Sequence, residues 1–236
     1  MTAALAQAST SYVLNGSFET TTAGTGQLTF NTVATDWVND SDGQGHDGYN
    51  FLFEPGTADT TGALGADGTI KLWGPGDGSA NGLPATSPDG GNYIAADGAY
   101  EIGAITQQIS GLVVSNSYTL GFWWAGAQQY NFTGVNTEGW DVSLGDLTQD
   151  TKILSNVTEG FTGWSYQTFT FIADNANPLL SFLAVGTPAG EPPFSLLDGV
   201  SLNLNTPEPA TSALIGLGLL GVPIAARLLK RRQRRS

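Results

Sequence analysis

The residue types that could do chemistry are unevenly supplied in this 236-residue chain. It has 21 acids, one histidine (His46), no cysteine and one methionine. Absence of cysteine removes thiolate metal sites, cysteine nucleophiles and any disulfide framework. A single histidine excludes sites that need two, such as His-x-x-x-His zinc ligation. A Ser-His-Asp triad would have to use His46, which lies in the glycine-rich run Asp40 to Gly48 with no G-x-S-x-G elbow nearby. His46 therefore reads as a solvated loop histidine. Glycosidase chemistry needs two carboxylates held about 5 to 9.5 Å apart. Twenty acids in the first 205 residues supply such pairs by chance, and no pair stands out. The loop opening Asp40-x-Asp42 has Gly45 at the turn position of an EF-hand. It has Gln44 at the fifth position and Phe51 where the bidentate glutamate belongs, so it fails as one.

The aromatics are the other candidate groups. A sugar ring presents C–H faces that stack on an exposed aromatic plane. Trp123 has the opposite strand parity to its core neighbours and stands near Gly121 and Ala125, small residues that would leave it on an open platform. Trp37, Tyr49, Trp73 and Tyr130 fall in loops and are further candidates. The competing expectation for Trp123 is that it packs beneath a long loop.

The elements that must position these groups are strands. Between residues 9 and 205 no segment keeps an i, i+3, i+4 apolar pattern, whereas short alternating runs recur between Gly, Pro, Asn and Asp clusters. Tyr118, Leu120, Phe122 and Trp124 share one strand face. So do Trp140, Val142 and Leu144, with Asp141 and Ser143 opposite, and Phe169 with Phe171, Leu180 with Phe182, and Val200 with Leu202 and Leu204. Seven Asp-Gly pairs supply turns. This pattern predicts an all-β jelly-roll sandwich over 9–205, with residues 40 to 90 forming long loops around short strands.

The net charge of −13 averages two different objects. Residues 1 to 205 carry twenty acids against Lys71 and Lys152, a net of −18, which argues against nucleic-acid partners. Residues 206 to 236 carry Glu208 against Arg227, Lys230, Arg231, Arg232, Arg234 and Arg235, a net of +5. Between Ala210 and Ala226 there is no charge. Counting Arg227 as snorkelling, 211–229 is long enough for a single C-terminal transmembrane helix, and the basic end at 227–235 places the C-terminus in the cytoplasm. Pro207-Glu208-Pro209 ahead of the span keeps an extended, accessible stretch.

Motif, apolar span and basic end in this order resemble the PEP-CTERM sorting tail of Gram-negative bacteria that make exopolysaccharide. The resemblance implies processing near Pro207, Glu208 and Pro209 by an exosortase, an integral-membrane protease. The product would pass from the inner membrane to the cell surface or extracellular matrix. At the other end, Ala6-Gln7-Ala8 fits an A-x-A cleavage pattern. Residues 1–8 are therefore read as either a signal-peptide remnant or a disordered start.

A second resemblance covers most of 12–204. Leu14-Asn15-Gly16-Ser17-Phe18-Glu19 opens the segment, and Asp89-Gly90-Gly91-Asn92-Tyr93-Ile94-Ala95 and Ile105-Thr106-Gln107-Gln108-Ile109 follow. Leu196-Leu197-Asp198-Gly199-Val200-Ser201-Leu202 closes it. This ordered set is similar to the galactose-binding-like jelly rolls, including carbohydrate-binding modules, and the stretch 180–202 as a whole is typical of PEP-CTERM proteins. In such jelly rolls a structural calcium joins an acid of the opening motif to one in the closing strand, which on this chain implies Glu19 and Asp198. Strand parity with Val200 points Asp198 toward the core, where a carboxylate needs a partner or a metal. The alternative is that Asp198 caps a turn through backbone amides. The expected function is an exported, non-enzymatic protein that binds carbohydrate or structures exopolysaccharide. The alternatives are a secreted polysaccharide hydrolase using an unlocated Asp/Glu pair, and a ligand-free structural surface protein.

Overall fold

A computed structural model describes residues 11–205. Expectations about residues 1–8, the motif 207–209, the apolar helix 211–229 and the basic end fall outside that range.

The described residues form fourteen strands and one short 3-10 turn. In chain order these are β1 (Gly26–Gln27), β2 (Val38–Asn39), β3 (Asn50–Phe53), β4 (Ala63–Gly65), β5 (Gly68–Ile70), β6 (Tyr93–Asp97) and β7 (Ile105–Gln108). They continue as β8 (Ser117–Gln128), β9 (Asn136–Leu144), β10 (Leu147–Asp150), β11 (Leu154–Asn156), β12 (Ser165–Ile172), β13 (Leu179–Thr187) and β14 (Pro193–Leu204). One sheet runs β1-β3-β6-β14-β8-β12. The other runs β10-β9-β13-β7-β2 with β11 beside β9, and β4-β5 form a separate hairpin. All of these strand pairings are antiparallel. The described residues thus form an all-β sandwich, and 40–90 holds only short strands between long loops.

Register assigns the faces. Leu52 pairs with Ile94, Ile94 with Leu197 and Leu197 with Trp124, and all four belong to the core between the sheets. Trp140 and Phe182 face them from the second sheet, 5.9 Å apart and edge to face. The alternate row, Phe51-Ala95-Leu196-Ala125, points outward from the first sheet. It is buried too. The segment from Ala58 to Leu83 covers it, building a second core with Phe53, Tyr93, Leu72 and Phe194. The outward face of the first sheet is therefore closed over much of its width, which shrinks the surface a ligand can use.

Two aromatic candidates are corrected by this packing. Trp37 is 5% exposed, lies on Phe18 at 5.2 Å and donates its indole N–H to the Asn15 carbonyl. Tyr49 is 5% exposed and packs edge-on to Phe51 at 4.7 Å. Neither ring is open to a sugar, because Trp37 belongs to the central core and Tyr49 to the second.

Candidate functional site

The first sheet stays open at its β12 edge. Across three strands the outward row reads Tyr166-Trp123-Asp198. Trp123 and Tyr166 pack with centroids 5.1 Å apart and planes at 60°. Tyr166 is 52% exposed and Trp123 partly so. Gly121 is what lets the tyrosine lie flat against the sheet, since a Cβ there would stand 2.2 Å from the Tyr166 hydroxyl. Trp123 thus lies on the outward face its parity predicts, and it is partly exposed. Tyr166 was legible by the same rule, because Phe169 and Phe171 fix the inward parity of β12. Trp164, two residues before Tyr166, packs edge-on to Tyr93 at 5.6 Å and borders the second core.

The polar side of this platform comes from three of the four quoted motifs, the opening one, 89–95 and the closing one, which fold together. Gly199 lies against both Asp89 and Trp123, its Cβ position being 3.0 Å from the Asp89 carboxyl carbon and 3.1 Å from the indole. Ser17 donates its hydroxyl to Asp89 at 2.6 Å. The Gly16 carbonyl accepts the Val200 amide at 2.9 Å, and Glu19 accepts the Asn92 amide at 2.7 Å. Gly91 must be glycine here: its φ is +58° and a Cβ would fall 1.7 Å from Glu19.

Asp198 is fully buried, but on the face opposite to the one predicted. A β-bulge between Asp198 and Ser201, with Gly199 at φ +60°, inserts a residue into β14. Parity therefore changes, so Leu202 points into the central core while Asp198 shares the outward face of Trp123. One Asp198 oxygen accepts the Ser87 hydroxyl and the other accepts the Gly199 amide at 2.7 Å, the second being the turn cap considered as the alternative. Burial, with smaller contributions from the charges of Asp89 and Glu19, pushes the Asp198 pKa up to about 8.

Hard oxygen donors are the correct chemistry for calcium, and the charges of Glu19 and Asp89 are close enough to act on Asp198. Among the described residues no three Asp, Glu, His or Cys side chains already converge on one metal position. An ion would need backbone oxygens as well.

Trp73 and Tyr130 come together elsewhere, with ring centroids 4.6 Å apart. Lys71 lies over Tyr130 at 4.1 Å and is paired with Asp77. His46 stands exposed in its loop, 2.8 Å from Asp42, and hydrogen bonding to that carboxylate raises its pKa. No serine partner accompanies it among the residues described as bonded to it.

Residues 205–232 match the family described as the PEP-CTERM protein-sorting motif. This is a PEP-CTERM tail. The described body ends at the point where the tail begins, since β14 stops at Leu204. No curated protein matches the chain. Among solved structures, TmCBM61 in complex with beta-1,4-galactotriose is 16% identical, with 84% of this chain and 100% of that one covered and a TM-score of 0.40. The CBM22-1 xylan-binding domain of Paenibacillus barcinonensis Xyn10C is 11% identical, with 86% and 99% covered and a TM-score of 0.40. Arabinose-bound MgGH51 α-L-arabinofuranosidase is 14% identical, with 82% of this chain and 26% of that one covered and a TM-score of 0.37. The two-sheet arrangement rests on the strand pairing above, independently of these likenesses.

Proposed function

We propose that the sandwich is a non-catalytic carbohydrate-binding body, delivered by its PEP-CTERM tail to the cell surface or exopolysaccharide matrix, with sugar rings stacking on Trp123 and Tyr166. The observation that supports this is the Trp123–Tyr166 pair held open over Gly121 and bordered by Asp89 and Ser17. A π-face is electron-rich and attracts the weakly positive C–H face of a pyranose, while carboxylate and hydroxyl oxygens accept and donate to its hydroxyls. A few polar groups beside an apolar surface are the usual make-up of a ligand site.

In the same reading the apolar span inserts in the inner membrane with its basic end cytoplasmic, an exosortase acts near Pro207, Glu208 and Pro209, and the body is released outside. A hydrolase is the weaker reading. Its attraction is that Asp198, held protonated, stands near the charge of Asp89, as acid–base pairs require. Yet Asp198 is fully buried, with both oxygens engaged, and cannot reach a glycosidic oxygen.

The test is binding of the full-length chain, in detergent micelles, to polysaccharide purified from the host matrix, to xylan and to β-1,4-galactan. Trp123→Ala should lower affinity at least tenfold with an unchanged unfolding midpoint. Equal binding by wild type and variant would remove the site.

A structural calcium belongs to the proposal as well, held by Glu19 and Asp198 with backbone oxygens. When bound it would supply positive charge between the buried Asp198 and the exposed Glu19 and tie the opening motif to β14. Calcium should then raise the melting temperature and EDTA lower it, with Asp198→Asn insensitive to both. Identical melting with calcium and with EDTA would remove the ion.

A further inference from the structure

We infer that Trp73, Tyr130, Lys71 and Asp77 form a second carbohydrate site, so that one molecule bridges two polysaccharide segments. This rests on the reading of Trp123 and Tyr166 as a sugar platform.

The second cluster is built by backbone pairing between 71–73 and the chain leaving β8. The Trp73 amide donates to the Gln128 carbonyl and the Tyr130 amide to the Lys71 carbonyl, both at 2.9 Å, around the bridge of Leu72 with Gln129. The pairing sets Trp73 and Tyr130 side by side at 64°. The indole N–H donates to the Phe132 carbonyl at 2.7 Å, so the polar edge of the ring is satisfied within the protein. Asn81 holds the loop from the other side, donating to the Trp73 carbonyl at 2.8 Å and the Glu159 carbonyl at 2.9 Å. Trp73 is thereby fixed in orientation while remaining partly exposed. A ring locked before binding loses little freedom on contact, and that favours stacking.

The hydrogen-bonding groups stand beside the rings. Lys71 is one of two basic residues in 11–205, and its ammonium is held over the Tyr130 face by cation–π attraction and by one Asp77 oxygen. The Asp77 side chain is 6% exposed, and its second oxygen is buried with no hydrogen-bond partner. A buried acceptor without a donor is costly, and a ligand hydroxyl would supply the donor. Asp77 closes the turn Pro75–Asp77, and the glycines on either side of it, Gly76 and Gly78, are exposed. The ammonium donates and the carboxylate accepts, which matches two adjacent hydroxyls of a neutral pyranose. An anionic sugar would face Asp77 and fits less well.

Tyr130 lies seven residues after Trp123 along the strand and its exit, which at about 3.3 Å per residue allows up to roughly 23 Å between them. Two sites on one rigid body can engage separate stretches of a polymer. Linkage of two weak sites raises apparent affinity for polymer by about 10²-fold or more and leaves oligosaccharide affinity at each site unchanged.

The experiment compares full-length wild type, Trp73→Ala, Trp123→Ala and the double variant Lys71→Met/Asp77→Asn in detergent micelles. Probes are host-matrix polysaccharide, xylan and β-1,4-galactan as polymers, with cross-linking read as turbidity. Thermal melting checks folding, and the double variant keeps both rings in case Trp73→Ala does not fold. The inference expects wild type to bind and cross-link, and Trp73→Ala and the double variant to bind more weakly without turbidity. Binding abolished by Trp123→Ala but unchanged in both second-site proteins would overturn the second site and leave the first. Absence of wild-type binding to every polymer would overturn both.

Discussion

Glu138 offers the sharpest test of the packing. It lies on β9 between Asn136 and Trp140, on the inward face, and is wholly buried. Its carboxylate rests against Gly126, where a Cβ would be 2.4 Å away. One oxygen accepts from Asn156 at 3.3 Å and the other has no partner, while the Asn136 amide oxygen, two residues along the same face, also lacks one. Burial pushes the Glu138 pKa from 4.5 to about 8. A raised acid pKa means that the folded state holds a proton the unfolded state has lost. Stability is therefore full below about pH 4.5 and falls as pH rises towards 8. At pH 7 the difference is about 2.5 pH steps of 1.36 kcal/mol, or about 3 kcal/mol, and it grows to about 5 kcal/mol above pH 8. Glu138→Gln keeps the shape, removes the ionisation and adds an N–H donor on the face where the Asn136 amide oxygen is unpartnered. The variant should match wild type near pH 4 and exceed it by about 3 kcal/mol at pH 7 in urea unfolding followed by tryptophan fluorescence. Asp97, whose pKa burial raises to about 7, adds a second decline over a lower window. If Glu138→Gln and wild type run parallel from pH 4 to 9, the carboxylate is not buried as described.

Two glycine substitutions separate platform from scaffold. Gly121→Ala should push the Tyr166 ring aside, weakening polysaccharide binding severalfold with stability changed by less than about 1 kcal/mol, because only the end of a surface side chain must move. Gly16→Ala meets the Val200 carbonyl at 1.9 Å, and that oxygen belongs to a core strand. It should cost about 3 kcal/mol or more in denaturant unfolding, and a wild-type midpoint would contradict the contact between the opening motif and β14.

Strand parity carried much of the fold. The inward rows of β8, β9, β12 and β13 follow directly from alternation, because one side of each strand must be apolar when the other is not. Parity says which way a side chain points and nothing about what lies above it. Tyr49 illustrates the limit: the second core that buries it is assembled from 51–95, 125–127 and 194–196, a closure with no local signature. Trp37 disappears for a related reason, since it fills the space between Phe18 and Phe182 from opposite ends of the chain. Asp198 fails differently. A single inserted residue at the bulge reverses every parity inference beyond it, and Asp198-Gly199 reads equally well as a turn. Trp123 and Tyr166 were recoverable because no bulge intervenes in β8 or β12 and their same-strand neighbours on the outward face, Gly121, Ala125 and Thr168, are small or hydroxylic.

The second sheet offers a competing location, and its chemistry decides against it. A groove of about 600 Å³ runs over its outward face between Gly98, Thr137, Ile153, Val185, Gly186 and Thr187. The lining holds no aromatic ring and no charge, and its two threonine hydroxyls are already paired at 2.9 Å. A pyranose placed there would bury its hydroxyls without partners, at a cost of about 1 to 3 kcal/mol for each group left unsatisfied. On the first sheet the same sugar would meet two rings with Asp89 and Ser17 beside them. Body charge sharpens the choice of ligand. With twenty acids against two lysines before residue 206, long-range attraction to a polyanion is absent, and contact must come from short-range stacking and hydrogen bonds. Added salt therefore should not weaken binding of a neutral polysaccharide, because no counterion-releasing basic patch holds it. A steep loss of binding between 50 and 500 mM salt would require cationic contacts that Lys71 and Lys152 are too few to provide.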